Sequence, residues 1–302
     1  MKTKKIVYIA GYGRSGSTLL ERILSSNQKM FGVGELFHLL RLINGKNNFC
    51  SCGNEIHQCD FWSKIIAKIN AEYDIEQTKQ DRKFFESITG IFSCIAKRLK
   101  KQNYQDYTKE IFSEIFKLVP SETKYIIDSS KTARNSLVRP VLLSNLFDVK
   151  VIHLIRDGRG CMWSNLKGSN QKLEAGVDPT IPFAGLRTAL NWPVANSGAH
   201  FFQLLNSQES YCRVKYENFV ENPENSLAKI GDFLGVDFAA QINMLKLEQK
   251  VPLGHQLDGN RLRKKEKIIL QPDLEWKSKL GFEYRLLFWL FAWPWGLFYK
   301  YF

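Results

Sequence analysis

The stretch Lys5-Ile-Val-Tyr-Ile-Ala-Gly11-Tyr-Gly-Arg14-Ser15-Gly16-Ser17-Thr18-Leu-Leu-Glu-Arg-Ile-Leu24 reads as strand, tight glycine turn and helix. Lys5 to Ala10 is a short β-branched run, and Thr18 to Leu24 looks helical. Backbone N–H groups at such a helix start converge on an anion, and the helix dipole adds to the attraction. The spacing Gly11-x4-Gly16 is that of a nucleotide P-loop. In ATP- and GTP-binding loops a lysine and then Ser or Thr come next. Here Ser17 and Thr18 follow, and the basic residue, Arg14, sits inside the loop. The lysine that would reach the outer phosphates is missing. The loop is therefore suited to hold a phosphate-like group without γ-phosphoryl transfer.

Outward from this unit, Tyr125–Asp128, Val149–Ile155 and Cys212–Tyr216 are three more strand-type runs. Each precedes a stretch that can be helical, which predicts βα units and a parallel sheet. The expected fold is α/β: a P-loop NTPase-like parallel sheet flanked by helices, with a helical insertion after the first βα unit. The 302 residues are expected to form a single domain, with that insertion at 60–120 and an aromatic tail at 281–302. Phe84, Ile88, Ile91, Phe92, Ile95 and Leu99 recur at helical spacing and are expected to face the core. So are Ile111, Phe112, Ile115, Phe116 and Val119. Another helix is predicted from Asn222-Pro223 to near Gly235.

Apolar residues at 44% and charged residues at 24% exclude wholesale disorder and collagen-like or coiled-coil architecture. A net charge of +13 favours anionic partners. The run Ile6–Ala10 is too short for a signal peptide, and Leu286–Tyr299 is shorter than a membrane span. Pro294 is expected to interrupt any helix there. A cytoplasmic location follows as the expectation, with the six cysteines as thiols. No motif supports nucleic-acid binding.

The glycine loop resembles the 5′-phosphosulfate loop of sulfotransferases that use 3′-phosphoadenosine 5′-phosphosulfate (PAPS). Val151-Ile-His-Leu-Ile-Arg156-Asp-Gly-Arg-Gly-Cys-Met-Trp-Ser164 resembles that family's 3′-phosphate motif, in which a strand ends in arginine and a serine follows on the next helix. Arg156 offers a guanidinium fork to a phosphate dianion, and Ser164 a hydroxyl donor. Arg213-Val-Lys-Tyr216-Glu-Asn looks like the strand whose tyrosine lies near the adenine. Gly254-His-Gln-Leu-Asp-Gly-Asn260-Arg261-Leu-Arg263 resembles a C-terminal loop that closes over the nucleotide. The resemblance implies PAPS as co-substrate and PAP as product, held by Arg14, Ser15, Gly16, Ser17, Thr18, Arg156, Ser164, Tyr216, Asn260, Arg261 and Arg263.

Sulfuryl transfer needs a proton acceptor, neutralisation of the leaving phosphate and an in-line donor. Protein-tyrosine sulfotransferases carry a glutamate base twenty-one residues after the loop arginine. Glu35, in Gly32-Val-Gly-Glu35-Leu, stands at that distance from Arg14. Burial is expected to raise its pKa. His38 is the alternative base. Lys131, in Asp128-Ser-Ser-Lys131-Thr132, matches the family lysine near the bridging oxygen. Lysine and arginine can carry the charge, so no metal is required. Two rival functions are a P-loop kinase or NTPase, against which the absent lysine and the lack of a clear metal-binding aspartate at a strand end speak, and a non-catalytic anion-binding module.

Cys50-Ser-Cys52-Gly-Asn-Glu-Ile-His57-Gln-Cys59 has zinc-ligand residue types, but the Cys-x-Cys spacing is tight and no second pair follows. Zinc, redox chemistry and plain packing all stay open for it. The acceptor is expected to offer a hydroxyl or, less favoured, an amine, and small molecule, glycan, lipid and peptide tyrosine all stay open for it. Between Leu286 and Phe302 the tail is crowded with Phe, Trp and Tyr. Packing on its own domain, peripheral docking at a membrane and a dimer contact are its three readings.

Overall fold

Strand β1 (Lys5–Ala10) is buried from Ile6 onward, as the central strand of a parallel sheet must be. Its side chains alternate between two cores. Ile6, Tyr8 and Ala10 join one apolar cluster, and Val7 and Ile9 join another. The computed structural model describes residues 5–45, 48–91, 102–168 and 178–302. Within them β2 (Met30–Gly34), β3 (Tyr125–Asp128), β4 (Val149–Ile155) and β5 (Tyr211–Lys215) complete a sheet in the order β2-β3-β1-β4-β5. Every pairing is parallel.

The sheet confirms the expected α/β class. The four expected strands are present, the last displaced by one residue. Strand β2 escaped the sequence reading because Met-Phe-Gly-Val-Gly has little β-propensity. Its glycines answer a local need. Gly34 has φ +78°, and a Cβ there would sit 2.2 Å from the Leu257 carbonyl oxygen. The helical insertion consequently follows β2 and not the first βα unit.

The helices, in chain order, are α1 (Ser17–Ser25), α2 (Leu39–Ile43), α3 (Trp62–Glu72), α4 (Ile75–Glu86) and α5 (Gln102–Leu118). Then come α6 (Arg139–Ser144), α7 (Gly158–Leu166), α8 (Ala184–Leu205) and α9 (Tyr216–Glu221). Last are α10 (Pro223–Leu234), α11 (Ala239–Lys246), α12 (Trp276–Lys279) and α13 (Phe282–Phe298). Helix α10 begins and ends where the sequence predicts, with Gly235 as its left-handed cap. Helices α2, α3 and α5 bury Leu39, Trp62 and Phe112 against one face of the sheet. Helices α1 and α10 bury Leu20 and Ile230 against the other.

The second insertion stripe is core as expected: Ile111, Phe112, Ile115 and Val119 are buried. The first is not. Helix α4 ends at Glu86, Ser87 is extended, and Phe84 and Ile88 are 47% and 44% exposed. Phe92, Ile95 and Leu99 lie outside the described residues. What fixes α4 is polar. Buried Glu86 accepts from Arg139 at 2.5 Å and from Tyr104 at 3.0 Å, and Arg139 reaches Asp128 at 2.9 Å. Strand β3 ends in Asp128, as the sequence reading of Tyr125–Asp128 has it. Asp128 is fully buried and held by Arg139 and Ser130.

Helix α13 continues through Pro294 where an interruption was expected. Packing outweighs the lost hydrogen bond. Phe288, Ala292 and Tyr299 are buried against α7 and α8, and the rings of Phe288 and Trp192 lie 5.3 Å apart. Tyr299 Oη also lies 2.8 Å from His200 Nε2. The tail thus packs on the chain's own fold along one face.

Candidate active site

The carboxyl ends of β1, β3 and β4 open onto one crevice, the usual place for a ligand in an open parallel sheet. The glycine loop after β1 forms its floor. Gly16 has φ +89°, and a Cβ there would meet the Tyr216 ring at 2.6 Å, so only glycine lets that tyrosine lie on the loop. A cavity of about 380 Å³ lies above the loop, lined by Arg14, Gly16, Ser17, Thr18, Arg156, Ser164, Tyr216 and Asn260 among others. Residues from four separate sequence motifs are therefore brought together.

Three of the expected nucleotide ligands do not line this cavity. The Ser15 hydroxyl is buried beneath the loop, 3.7 Å from Cys161 Sγ. Arg261 is exposed and does not line the cavity. Arg263 is buried and donates to the Gly259 carbonyl at 3.2 Å. It shapes the loop that covers the cavity instead of reaching into it. Asn260 caps the same loop, accepting from Leu262 N at 3.1 Å, while its own N–H donates to Thr18 Oγ1 at 3.2 Å. Arg14 lines the cavity but points its guanidinium at the far end of α7, donating to Asn165 at 3.3 Å and to the Gly168 carbonyl at 2.8 Å.

Arg156 is buried at the end of β4. Its guanidinium lies over the Tyr216 ring at 4.6 Å, donates to the Arg14 carbonyl at 2.8 Å, and donates to Asp273 Oδ2 at 2.8 Å. Asp273 went unremarked in the sequence because nothing nearby marks it as a partner. Its carboxylate places an anion on the arginine fork.

Glu35 begins just after β2, where its N–H donates to the Leu257 carbonyl at 2.9 Å. Lys131, in the left-handed region at φ 66°, pairs with Glu35 Oε1. His38 Nε2 lies 3.4 Å from Glu35 Oε2 and 3.8 Å from Asp258 Oδ2, and Arg41 also pairs with Asp258. Burial pushes the Glu35 carboxyl up, as expected. The charge of Lys131 and the hydrogen bond from His38 outweigh it and hold the pKa at about 2. The expected rise is therefore reversed by two neighbours.

A second, larger cleft of about 1,440 Å³ adjoins the first. Gly13, Arg14, Glu35, His38 and Lys131 line both. Its remaining wall is largely apolar and includes Phe37, Phe84, Ile88, Phe183 and Leu190. The exposure of Phe84 and Ile88 is explained by this cleft. Sequence spacing alone could not separate an apolar cleft wall from a core stripe, since both follow the helical period.

A family profile described as the sulfotransferase family matches residues 7–240. The chain belongs to that family. The sulfotransferase domain from the curacin biosynthetic pathway is similar over 95% of this chain and 97% of its own, at 22% identity and a TM-score of 0.54. The sulfotransferase domain from the Synechococcus PCC 7002 olefin synthase is 22% identical over 97% of this chain and 96% of its own, with a TM-score of 0.49. No curated protein matches the chain. The structural likeness at 22% identity concerns the fold. In this sulfotransferase Glu35, His38 and Lys131 stand where the two cavities meet.

Proposed function

We propose that this sulfotransferase moves the sulfuryl group of PAPS to a hydroxyl, or less readily an amine, of an acceptor with an apolar body. One observation carries the reading: Glu35 and Lys131 form the wall common to a phosphate-type cavity and an apolar cleft. The small cavity fits the donor. Its loop presents helix N–H groups, Tyr216 gives an aromatic face, and Asp273 holds on Arg156 the place of an anion. PAPS supplies an activated sulfur–oxygen bond when bound. Arg156, Ser164 and Tyr216 would hold its nucleotide end, and Gly16, Ser17 and Thr18 its phosphosulfate end.

The residues then divide the chemistry. Glu35 takes the proton of the acceptor oxygen, and His38 orients Glu35 through its other oxygen. The acceptor oxygen bonds to sulfur as the bond from sulfur to the phosphate oxygen breaks, and the electron pair stays on that phosphate oxygen. Lys131 neutralises the charge that builds there. Lys131 serves Glu35 first. As charge builds on the leaving phosphate oxygen, Lys131 is drawn towards it, the pull on Glu35 weakens and the carboxylate becomes a stronger base. Lys83, Arg134 and Arg187 line the large cleft, so an acceptor carrying an acidic group fits it well.

Calorimetry tests the donor. PAP binds without magnesium at micromolar or better affinity and raises the melting temperature. ATP with magnesium binds no better than ATP alone. Magnesium-dependent ATP binding with no PAP binding overturns the reading in favour of an NTPase. Radiolabelled PAPS with a metabolite extract then identifies the acceptor by the mass of the product.

We also infer a cytoplasmic protein that docks peripherally on anionic lipid. No helix among the described residues is long and apolar enough to cross a membrane. The outer face of α13 carries Phe282, Leu286, Trp289, Leu290, Trp293 and Leu297, all at least 45% exposed, at helical spacing. Lys277, Lys279 and Lys300 are exposed at its two ends, on a chain of net charge +13. Aromatic residues with flanking lysines suit a headgroup boundary.

A further inference from the structure

Cys50, Cys52, Cys59 and His255 place one ligand atom each within 4.8 Å of one another. His57, the histidine nearest these cysteines in sequence, is not among them; its Nε2 lies 2.9 Å from the Ile43 carbonyl. His255 arrives from about 200 residues downstream, which is why the sequence shows no second half to the motif. We propose that these four residues hold a structural zinc ion.

The distances carry the proposal. Tetrahedral zinc with Zn–S of about 2.3 Å and Zn–N of about 2.0 Å sets S···S near 3.8 Å and S···N near 3.5 Å. Cys52 Sγ and Cys59 Sγ lie 3.7 Å apart, and His255 Nδ1 lies 3.8 Å from Cys50 Sγ and 3.2 Å from Cys59 Sγ. A disulfide needs about 2.05 Å between its sulfurs, and the described cysteines are all free thiols. The surroundings are built to hold the four groups. The Phe61 ring stacks on His255 at 5.2 Å, and Trp62 Nε1 donates to the His255 carbonyl at 2.6 Å. Ser51 Oγ donates to the Gly254 carbonyl at 2.7 Å and accepts from Gln256 N at 2.8 Å. Four protein ligands leave no open position, so the ion is structural and not catalytic. On binding, the three thiols give their protons to solvent, and the neutral imidazole gives none.

The site fastens the nucleotide cover. Two residues beyond His255, Leu257 donates to the Val33 carbonyl at 3.0 Å and accepts from Glu35 N at 2.9 Å. Asp258, Gly259 and Asn260 follow directly in the wall of the small cavity. The ion would thus tie the 50–59 loop to the segment that positions Glu35 and closes over the glycine loop.

The test uses the full chain purified under reducing conditions without chelator. Plasma mass spectrometry should give one zinc per chain, retained in His57→Ala and lost in His255→Ala. Folding failure in His255→Ala is bypassed by the wild type grown on cobalt. It should show the intense visible bands of tetrahedral cobalt and a near-ultraviolet thiolate charge-transfer band. Substoichiometric zinc after growth in zinc, with no cobalt bands, overturns the site. So does a Cys52–Cys59 disulfide in the reduced preparation, or zinc that stays in His255→Ala. None of these readouts depends on sulfuryl transfer.

Discussion

Glu35 shows at the scale of one residue how a neighbour reverses a solvent effect. Burial alone would raise the pKa of the carboxyl, while Lys131 and His38 hold it ionised with a pKa of about 2. Its folded pKa lies below the ordinary 4.5, so its contribution to stability is present above that value and is lost as pH falls towards 2. Glu35→Gln keeps the shape of the side chain and removes only the proton acceptor. It should leave PAP affinity near wild type and lower kcat by about 10²–10⁴-fold. Retention of most of kcat, measured at saturating PAPS, would hand the role to His38. Lys131→Ala in turn should raise the pKa of Glu35, since burial is then opposed by His38 alone. The acidic limb of the kcat/KM profile should move to higher pH, with PAP affinity little changed. A large loss of PAP affinity would make Lys131 a ground-state ligand.

At the scale of the element, β4 and α7 form one device. The strand delivers Arg156 at its end, and the helix delivers Ser164 to the same cavity. Arg156→Ala should weaken PAP by about 2–3 kcal/mol through loss of a charge-assisted contact. Asp273→Asn should tighten PAP, because the carboxylate that competes for the guanidinium is gone. Equal PAP affinity across wild type and both variants in calorimetry would remove the 3′-phosphate from Arg156. This device was legible because its residues lie within one short stretch, and so was the glycine loop. Strand β2 was not, because its two glycines serve close contacts with other segments and hide its strand character. Asp273, Asp258 and His255 were equally silent. Each acts on a partner more than a hundred positions away in sequence, and the local pattern around it carries no mark of that partner. For Arg261 and Arg263 the sequence carries a signal that the cavity lining does not repeat. A local run of charge suggests phosphate contact for both, but neither lines the small cavity: Arg263 donates to the loop's own backbone, and Arg261 is exposed.

For the molecule as a whole, α13 joins the small-cavity end to the exterior. Its inner face is core, and beyond it Tyr301 Oη donates to Glu217 at 2.8 Å while Arg159 donates to the Tyr301 carbonyl at 2.5 Å. Glu217 in turn accepts from the backbone N–H of Asp157, next to Arg156. Truncation after Gly281 therefore cannot isolate the outer surface, since it removes the support of the phosphate motif and should abolish PAP binding. Substitution of the outer face alone separates the two roles. Trp289→Ser, Leu290→Ser and Trp293→Ser together should keep the melting temperature and PAP affinity, because these side chains are half exposed and touch neither function. Wild type should float with anionic liposomes and the triple variant should stay in solution. The binding should weaken as salt rises, because exposed lysines flank the helix and ionic screening shortens their reach to about 10 Å at 0.1 M. Wild type that stays in solution sinks the membrane reading. If it then sediments as a dimer that the triple variant dissociates, the apolar face belongs to a second copy of the chain.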